Sequence, residues 1–218
     1  MRQLQQALGF ISLSIILTAC TGTPTLEEKP SSEFAGLNEV SSSGFKEAWA
    51  RPGADLQHYK VILISDLVSS DAEIRQPAAS KLTRQDWVLT PARQQALSQD
   101  WSRAMSTAAD ERDISSTGEG EQVLRVDAQI TRIAPNSDPQ QAQSAPGYTR
   151  VYSEDSGEAS IEIKLYDQTS NELLAVIRDN RRVGNRMWRL TSTVSASADV
   201  RMLFDSWSNR LLSRISGK

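Results

Sequence analysis

Apolar positions fall along this chain with three different spacings, and each spacing predicts a different kind of element. Residues 7–17 are almost unbroken in apolar character (Leu8, Phe10, Ile11, Leu13, Ile15, Ile16, Leu17). A spanning helix needs roughly twenty such residues, so this shorter run has the length of a signal-peptide core. Val61-Ile62-Leu63-Ile64 is a four-residue block rich in β-branching, with Pro52-Gly53 upstream and Ser65-Asp66 behind it. That block predicts a strand buried on both faces, at the centre of a sheet.

A period of two appears next. Leu124, Val126, Ala128 and Ile130 alternate with Arg125, Asp127, Gln129 and Thr131 across residues 122–133, as in a strand with one wet face. Ile161, Ile163 and Leu165 alternate in the same way with Glu162, Lys164 and Tyr166. Residues 167–172 then turn the chain, with Asn171 suited to a left-handed conformation, into a return strand at 173–178. These two strands predict an antiparallel hairpin.

Helical spacing occupies two further stretches. Thr90-Pro91 supplies a side-chain cap and a first-turn proline. Behind it Leu97, Trp101, Ala104, Met105 and Ala108 fall on one stripe, predicting a helix to about Asp110. Val200, Leu203, Phe204, Trp207, Leu211 and Ile215 make a second stripe that ends near Gly217. The order strand, helix, strand makes the strands at Val61 and Leu124 candidates for parallel neighbours. The fold class predicted is α/β: a two-layer sandwich with a mixed sheet of about four strands covered by two long helices.

The remaining stretches are polar. Residues 21–44 are rich in Ser, Thr, Glu, Pro and Gly and predict a flexible tether with a mean span of roughly 25 to 30 Å. Residues 69–90 read as irregular, with a short helical piece near 77–82. Residues 135–157 read as a long loop, disordered or used for binding, with disorder the better fit to its composition. The domain boundaries that follow are 1–19 for a signal peptide, 20–44 for the tether and 45–218 for a single domain.

Charge and cysteine content narrow the partners. The formal charge of −3 falls to −4 without Arg2, which gives no reason to expect nucleic acid and argues against a polybasic membrane surface. Cys20 is the one cysteine, and Leu17-Thr18-Ala19-Cys20 looks like a lipobox, with cleavage between Ala19 and Cys20. In bacterial lipoproteins with this pattern the thiol takes a diacylglyceryl group, and two or three chains make a stable anchor. A cysteine used in this way leaves no thiol for a disulfide, a metal or catalysis. Thr21 in the next position implies, through the same resemblance, the periplasmic side of an outer membrane.

A wider resemblance rests on Ala48-Trp49-Ala50-Arg51-Pro52-Gly53-Ala54-Asp55 with Tyr59. It also rests on residues 160–167 with Leu173-Leu174-Ala175, and on Phe204-Asp205-Ser206-Trp207. Together with the lipobox these stretches resemble the bacterial lipoproteins grouped as domain of unknown function 3313. The resemblance implies a periplasmic lipoprotein without an assigned activity; relatives carry Thr-Gly in the hairpin turn where this chain has Thr169-Ser170-Asn171. No catalytic residue is carried over.

Candidate chemistry is sparse, and neither a cofactor nor a metal is expected. His58 is the only histidine, and its plain reading is a surface residue before a strand. Asp66, Asp71 and Glu73 follow the strand at Val61, at the strand end where ligands tend to bind, although acidic loop residues are usually just solvated. Arg178, Arg181, Arg182, Arg186 and Arg189, interleaved with Trp188, form the one basic concentration. Its plain reading is a solvated strand end with Asp179 as internal partner; its functional reading is a contact surface for an envelope protein or peptidoglycan. The function predicted is a non-enzymatic binding or accessory module anchored in lipid at Cys20. The alternative is a periplasmic hydrolase or small-ligand binder that uses Asp66, Asp71 or Glu73 beside the arginines.

Overall fold

The computed structural model describes residues 23–77, 86–136, 156–184 and 192–217, together with the backbone of 152–153 and 189–190. The signal run with Ala19 and Cys20, residues 78–85 and 137–151, Arg186 and Trp188 lie outside the described residues. In chain order the elements are β1 (Thr25–Pro30), β2 (Asn38–Ser41), β3 (Glu47–Ala50), a 3-10 turn (Leu56–His58), β4 (Val61–Ile64) and β5 (Glu73–Ile74). There follow α1 (Pro91–Asp110), β6 (Val123–Pro135), β7 (Tyr152–Ser153), β8 (Gly157–Asp167), β9 (Leu173–Val183), β10 (Arg189–Leu190) and α2 (Thr193–Ser216).

The period-two segments form the middle of one mixed sheet, whose strand order is β1-β2-β3-β9-β8-β6-β4, with β5 pairing β6 beyond the end of β4. All pairings are antiparallel except those of β4 and β5 with β6, which are parallel. β7 and β10 form a separate two-stranded pair. The hairpin β8–β9 is the one predicted, with Asn171 at φ 56° in its turn. Where β8 starts, Gly157 lies so close to β6 that a Cβ would sit 2.2 Å from the Ala134 carbonyl oxygen.

Eight strands replace the four expected, which corrects the sheet's size. Three of the additions, β1, β2 and β3, come from residues 25–50, largely the stretch read as tether. Only one residue of β1 is even partly buried, so no apolar alternation announces it, and its backbone pairing with β2 does the work instead. The Val61 strand is also displaced from its expected place. β4 is an edge strand, and its apolar character is explained by the 115–120 segment, where a Cβ on Gly118 would meet Leu63 Cδ1 at 2.7 Å.

Both helices lie on one face of the sheet, as their stripes require. Thr90 Oγ1 accepts from Arg93 N at 3.3 Å to cap α1. Ser192 and Ser195 form a reciprocal capping box at α2, which ends on Gly217 at φ 71°. Trp101 and Phe204 meet edge to face at 5.8 Å. With Met105, Trp207, Leu211 and Ile215 they fill the space above Leu124, Val126, Ile161, Ile163 and Leu165. Each such fully buried side chain stabilises by about 1.5 to 3 kcal/mol relative to exposure.

Candidate functional site

Period two splits the arginines of β9 between the two faces of the sheet. Arg178 points to the face without helices, where its Nε donates to Glu162 at 2.6 Å and its two Nη atoms donate to Glu33 at 2.7 and 2.5 Å. The guanidinium also lies 5.1 Å from the Phe34 ring and 5.5 Å from Trp49. Hydrogen bonding to Glu33 and Glu162 holds Arg178 firmly protonated, and the same fork keeps Glu33 below the usual carboxylate range. Lys164 bonds the other oxygen of Glu162 at 3.0 Å and is raised by that bond. Arg178 is thus saturated by partners within the chain and fastens the segment before β2 to the sheet.

Asp179 and Arg181 face the helices instead. Asp179 is 5 % exposed, and its oxygens accept from Arg181 Nε at 2.5 Å, Trp207 Nε1 at 2.8 Å and the Lys46 backbone N–H at 3.2 Å. Asp179 is therefore the internal partner expected of it. Arg181 Nη2 also reaches the Gly44 carbonyl at 3.3 Å, which Arg210 contacts as well, while Arg214 Nε donates to the Ser43 carbonyl at 3.1 Å. Three guanidiniums from β9 and α2 thus converge on the turn between β2 and β3. Burial lowers the pKa of Arg210, and so do the positive charges of Arg181 and Arg214.

The basic run read from the sequence is therefore not one patch. Arg182 is exposed, Arg186 and Trp188 lie outside the described residues, and Arg189 is described only as backbone in β10. Arg210 and Arg214, spaced four apart on α2, were not singled out in the sequence. Their meeting with Arg181 depends on how α2 lies on the sheet, which no local pattern records.

The carboxylates do not assemble. Asp66, Asp71 and Glu73 are exposed, and Glu73 pairs with Arg132 at 2.9 Å. Strands β6 and β8 separate the β4 edge from β9, so these acids and the β9 arginines share no concave site among the described residues. His58 is exposed beside Tyr59, and no group of three metal-binding side chains occurs among the described residues. Tyr59 donates to Asp167 at 2.8 Å; burial first, then this bond, pushes the phenol up to about 12. Asp167 is lowered, chiefly by the Ser170 backbone N–H and then by Tyr59.

A cavity of about 330 Å³ opens between α1, α2 and the far ends of β6 and β8. Leu97, Ile130, Ile133, Val183, Val200 and Phe204 line it, with Arg93, Asp100, Ser156 and Glu158 among its polar groups. Ser156 Oγ donates to the fully buried Asp199 at 2.6 Å. None of the site residues expected from the sequence is in its wall. The signal was present in the apolar Trp87 and Leu89 before the α1 cap and in Ala159, but only the fold brings these together.

The model of a family described as protein of unknown function, DUF3313, matches residues 27–211. The chain belongs to the DUF3313 family. The match begins inside β1 and ends inside α2, so in this DUF3313 protein the residues read as tether lie largely within the family's domain. No curated protein matches it. Among solved structures, the DUF3313 chain is similar to a PelC dodecamer from Paraburkholderia phytofirmans, at 7 % identity and a TM-score of 0.41 over 75 % of this chain and 95 % of that one. It is also similar to a DUF330-family protein from Xanthomonas campestris, at 13 % identity and a TM-score of 0.40 over 76 % and 90 %. Both likenesses are too distant to bear on function.

Proposed function

We propose that this DUF3313 protein is a lipid-anchored lipoprotein of the bacterial envelope, held on the periplasmic side of the outer membrane by acyl chains on Cys20, and that its domain is a non-catalytic binding or accessory module. The observation that carries the reading is the placing of Cys20 directly behind an apolar run of signal-peptide length, closed by Leu17-Thr18-Ala19. Among the described residues no helix is long and apolar enough to cross a membrane, so in this reading the lipid supplies the attachment.

Binding rather than catalysis is supported by the character of the cavity. Its wall is mostly apolar, and its volume is at the lower end for small-molecule sites. The hydrolase alternative asks for Asp66, Asp71 or Glu73 beside the β9 arginines, an arrangement absent among the described residues. The partner in this reading is an envelope protein or peptidoglycan.

Metabolic labelling with a palmitate analogue tests the anchor. The mature protein takes the label and sediments with membranes, and Cys20→Ser loses the label, the processing and the sedimentation together. A Cys20→Ser protein that stays processed and membrane-bound would refute the reading. Crosslinking in intact envelopes then recovers a reproducible partner if the domain is a binding module.

A further inference from the structure

The amino end of β1 and the arginine cluster lie at the same end of the sheet. Thr25 pairs with Ser41, and Ser41 opens the turn at 42–46 whose Ser43 and Gly44 carbonyls accept from Arg214, Arg181 and Arg210. β1 runs away from this end, so the chain enters the sheet here. From Cys20 to Thr25 there are five peptide steps, which span at most about 18 Å when fully extended. An anchor on Cys20 therefore draws this end of the domain down to the lipid headgroups and leaves no long tether between them.

Resting on the lipid anchor proposed above, we infer that the sheet end formed by Thr25, the 42–46 turn, Arg181, Arg210 and Arg214 is a membrane-contact surface that binds the anionic phosphate groups of phospholipids in the leaflet holding the anchor. Three guanidiniums converge there, and Asp179 is the carboxylate set against them, already engaged by Arg181, Trp207 and the Lys46 N–H. Among the described residues neither Arg210 nor Arg214 forms an ion pair with a carboxylate. Each guanidinium carries five N–H donors in a planar fork suited to phosphate, and capping a turn carbonyl uses only part of that capacity. Lys46 is exposed in the same turn, and its side chain is not needed for the three guanidiniums to converge.

The charge of −4 that remains without Arg2 does not oppose this contact. Screening confines electrostatic attraction to within about 8 Å at physiological salt, so headgroups at this end respond to the local cluster. A phosphate also relieves the mutual repulsion of Arg181, Arg210 and Arg214.

The test uses the full mature protein, with its lipid, in vesicles of phosphatidylethanolamine and phosphatidylglycerol that carry a nitroxide on some headgroups. With Cys20 occupied by lipid, a fluorophore can be placed uniquely at Lys46→Cys or at Thr169→Cys in the β8–β9 turn at the opposite end of the sheet. Fluorescence at position 46 is quenched and that at 169 is not. Replacing phosphatidylglycerol with phosphatidylcholine reduces the quenching at 46, and so does the double variant Arg210→Gln/Arg214→Gln. Intact mass separates the two ways of failing. Equal fluorescence at both positions on a chain whose Cys20 carries diacylglyceryl, or quenching at 46 indifferent to phosphatidylglycerol, overturns the contact surface alone. An unmodified Cys20 overturns it together with the anchor.

Discussion

Trp207 in α2 donates its indole N–H to Asp179 in β9 across 2.8 Å, at the point where helix layer and sheet meet. The acceptor is almost fully buried, and so is the indole. A buried carboxylate is tolerated only when its lone pairs are filled, and here Arg181 and the Lys46 N–H complete the set. One side chain thereby ties α2, β9 and the turn before β3 together.

Trp207→Phe keeps a ring in the core but removes this donor and part of the indole. The expected cost is about 2 to 3 kcal/mol, read as a lower midpoint in urea with an unchanged slope. Asp179→Asn costs about 2 kcal/mol, because an amide places N–H groups toward partners that are themselves donors. If the two changes combined cost the sum of the single changes, the bond is not the coupling described.

The two long helices, the hairpin β8–β9 and the parallel neighbours β4 and β6 were all legible in the sequence, because each buries a stripe or a face whose period the chain records. β1 and β2 were not, because β1 keeps its side chains largely in water and β2 buries its own only in part, so that backbone pairing carries both. β4 misled for a related reason. Its apolar block is covered on one side by the core and on the other by the 115–120 segment, which imitates a central strand. The basic site was half legible: Arg181 with Asp179 was readable from local sequence, whereas Arg210 and Arg214 join them only through the tertiary path of α2.

Arg178 should behave as a fastener and not as a contact residue. Arg178→Ala leaves Glu162 half-buried with Lys164 and frees Glu33. The expected cost is roughly 1 kcal/mol, since the pair with Glu33 is largely exposed. The larger effect is local: hydrogen exchange at Leu37, whose backbone N–H bonds the Phe34 carbonyl, accelerates without a matching change in β8 and β9. Uniform acceleration across the sheet would show that Arg178 supports the whole fold and not that segment.

The Tyr59–Asp167 bond predicts how stability changes with alkali. Tyr59 has a folded pKa of about 12 against an ordinary value of 10.0, so its protonated form is favoured in the native state. Its contribution is complete below about pH 10 and is lost as pH rises toward 12, where the unfolded chain ionises first. Asp167 is shifted in the opposite direction, and its contribution is present above its ordinary pKa and lost as pH falls through the lowered one. Tyr59→Phe therefore costs about 1 kcal/mol near neutrality and flattens the alkaline limb of the stability profile. A variant that keeps the wild-type slope between pH 10 and 12 would remove Tyr59 as its cause.

The cavity between the helices gives a prediction in which stability and binding separate. Ala159 on β8 lies in its wall, so Ala159→Leu puts three further carbons into apolar space without displacing packed neighbours. Burial of those carbons contributes at about 0.8 kcal/mol each before the loss of rotamer freedom. A net gain of roughly 1 kcal/mol is expected. The same change excludes an apolar probe, so the fluorescence of an anilinonaphthalene sulfonate dye, enhanced by the wild-type protein, falls toward its value in buffer. Leu97→Ala enlarges the space and acts in the opposite sense, with lower stability and undiminished dye binding. Should Ala159→Leu destabilise the protein while leaving the dye signal intact, the cavity is not the place where apolar molecules enter, and the binding role assigned to it fails.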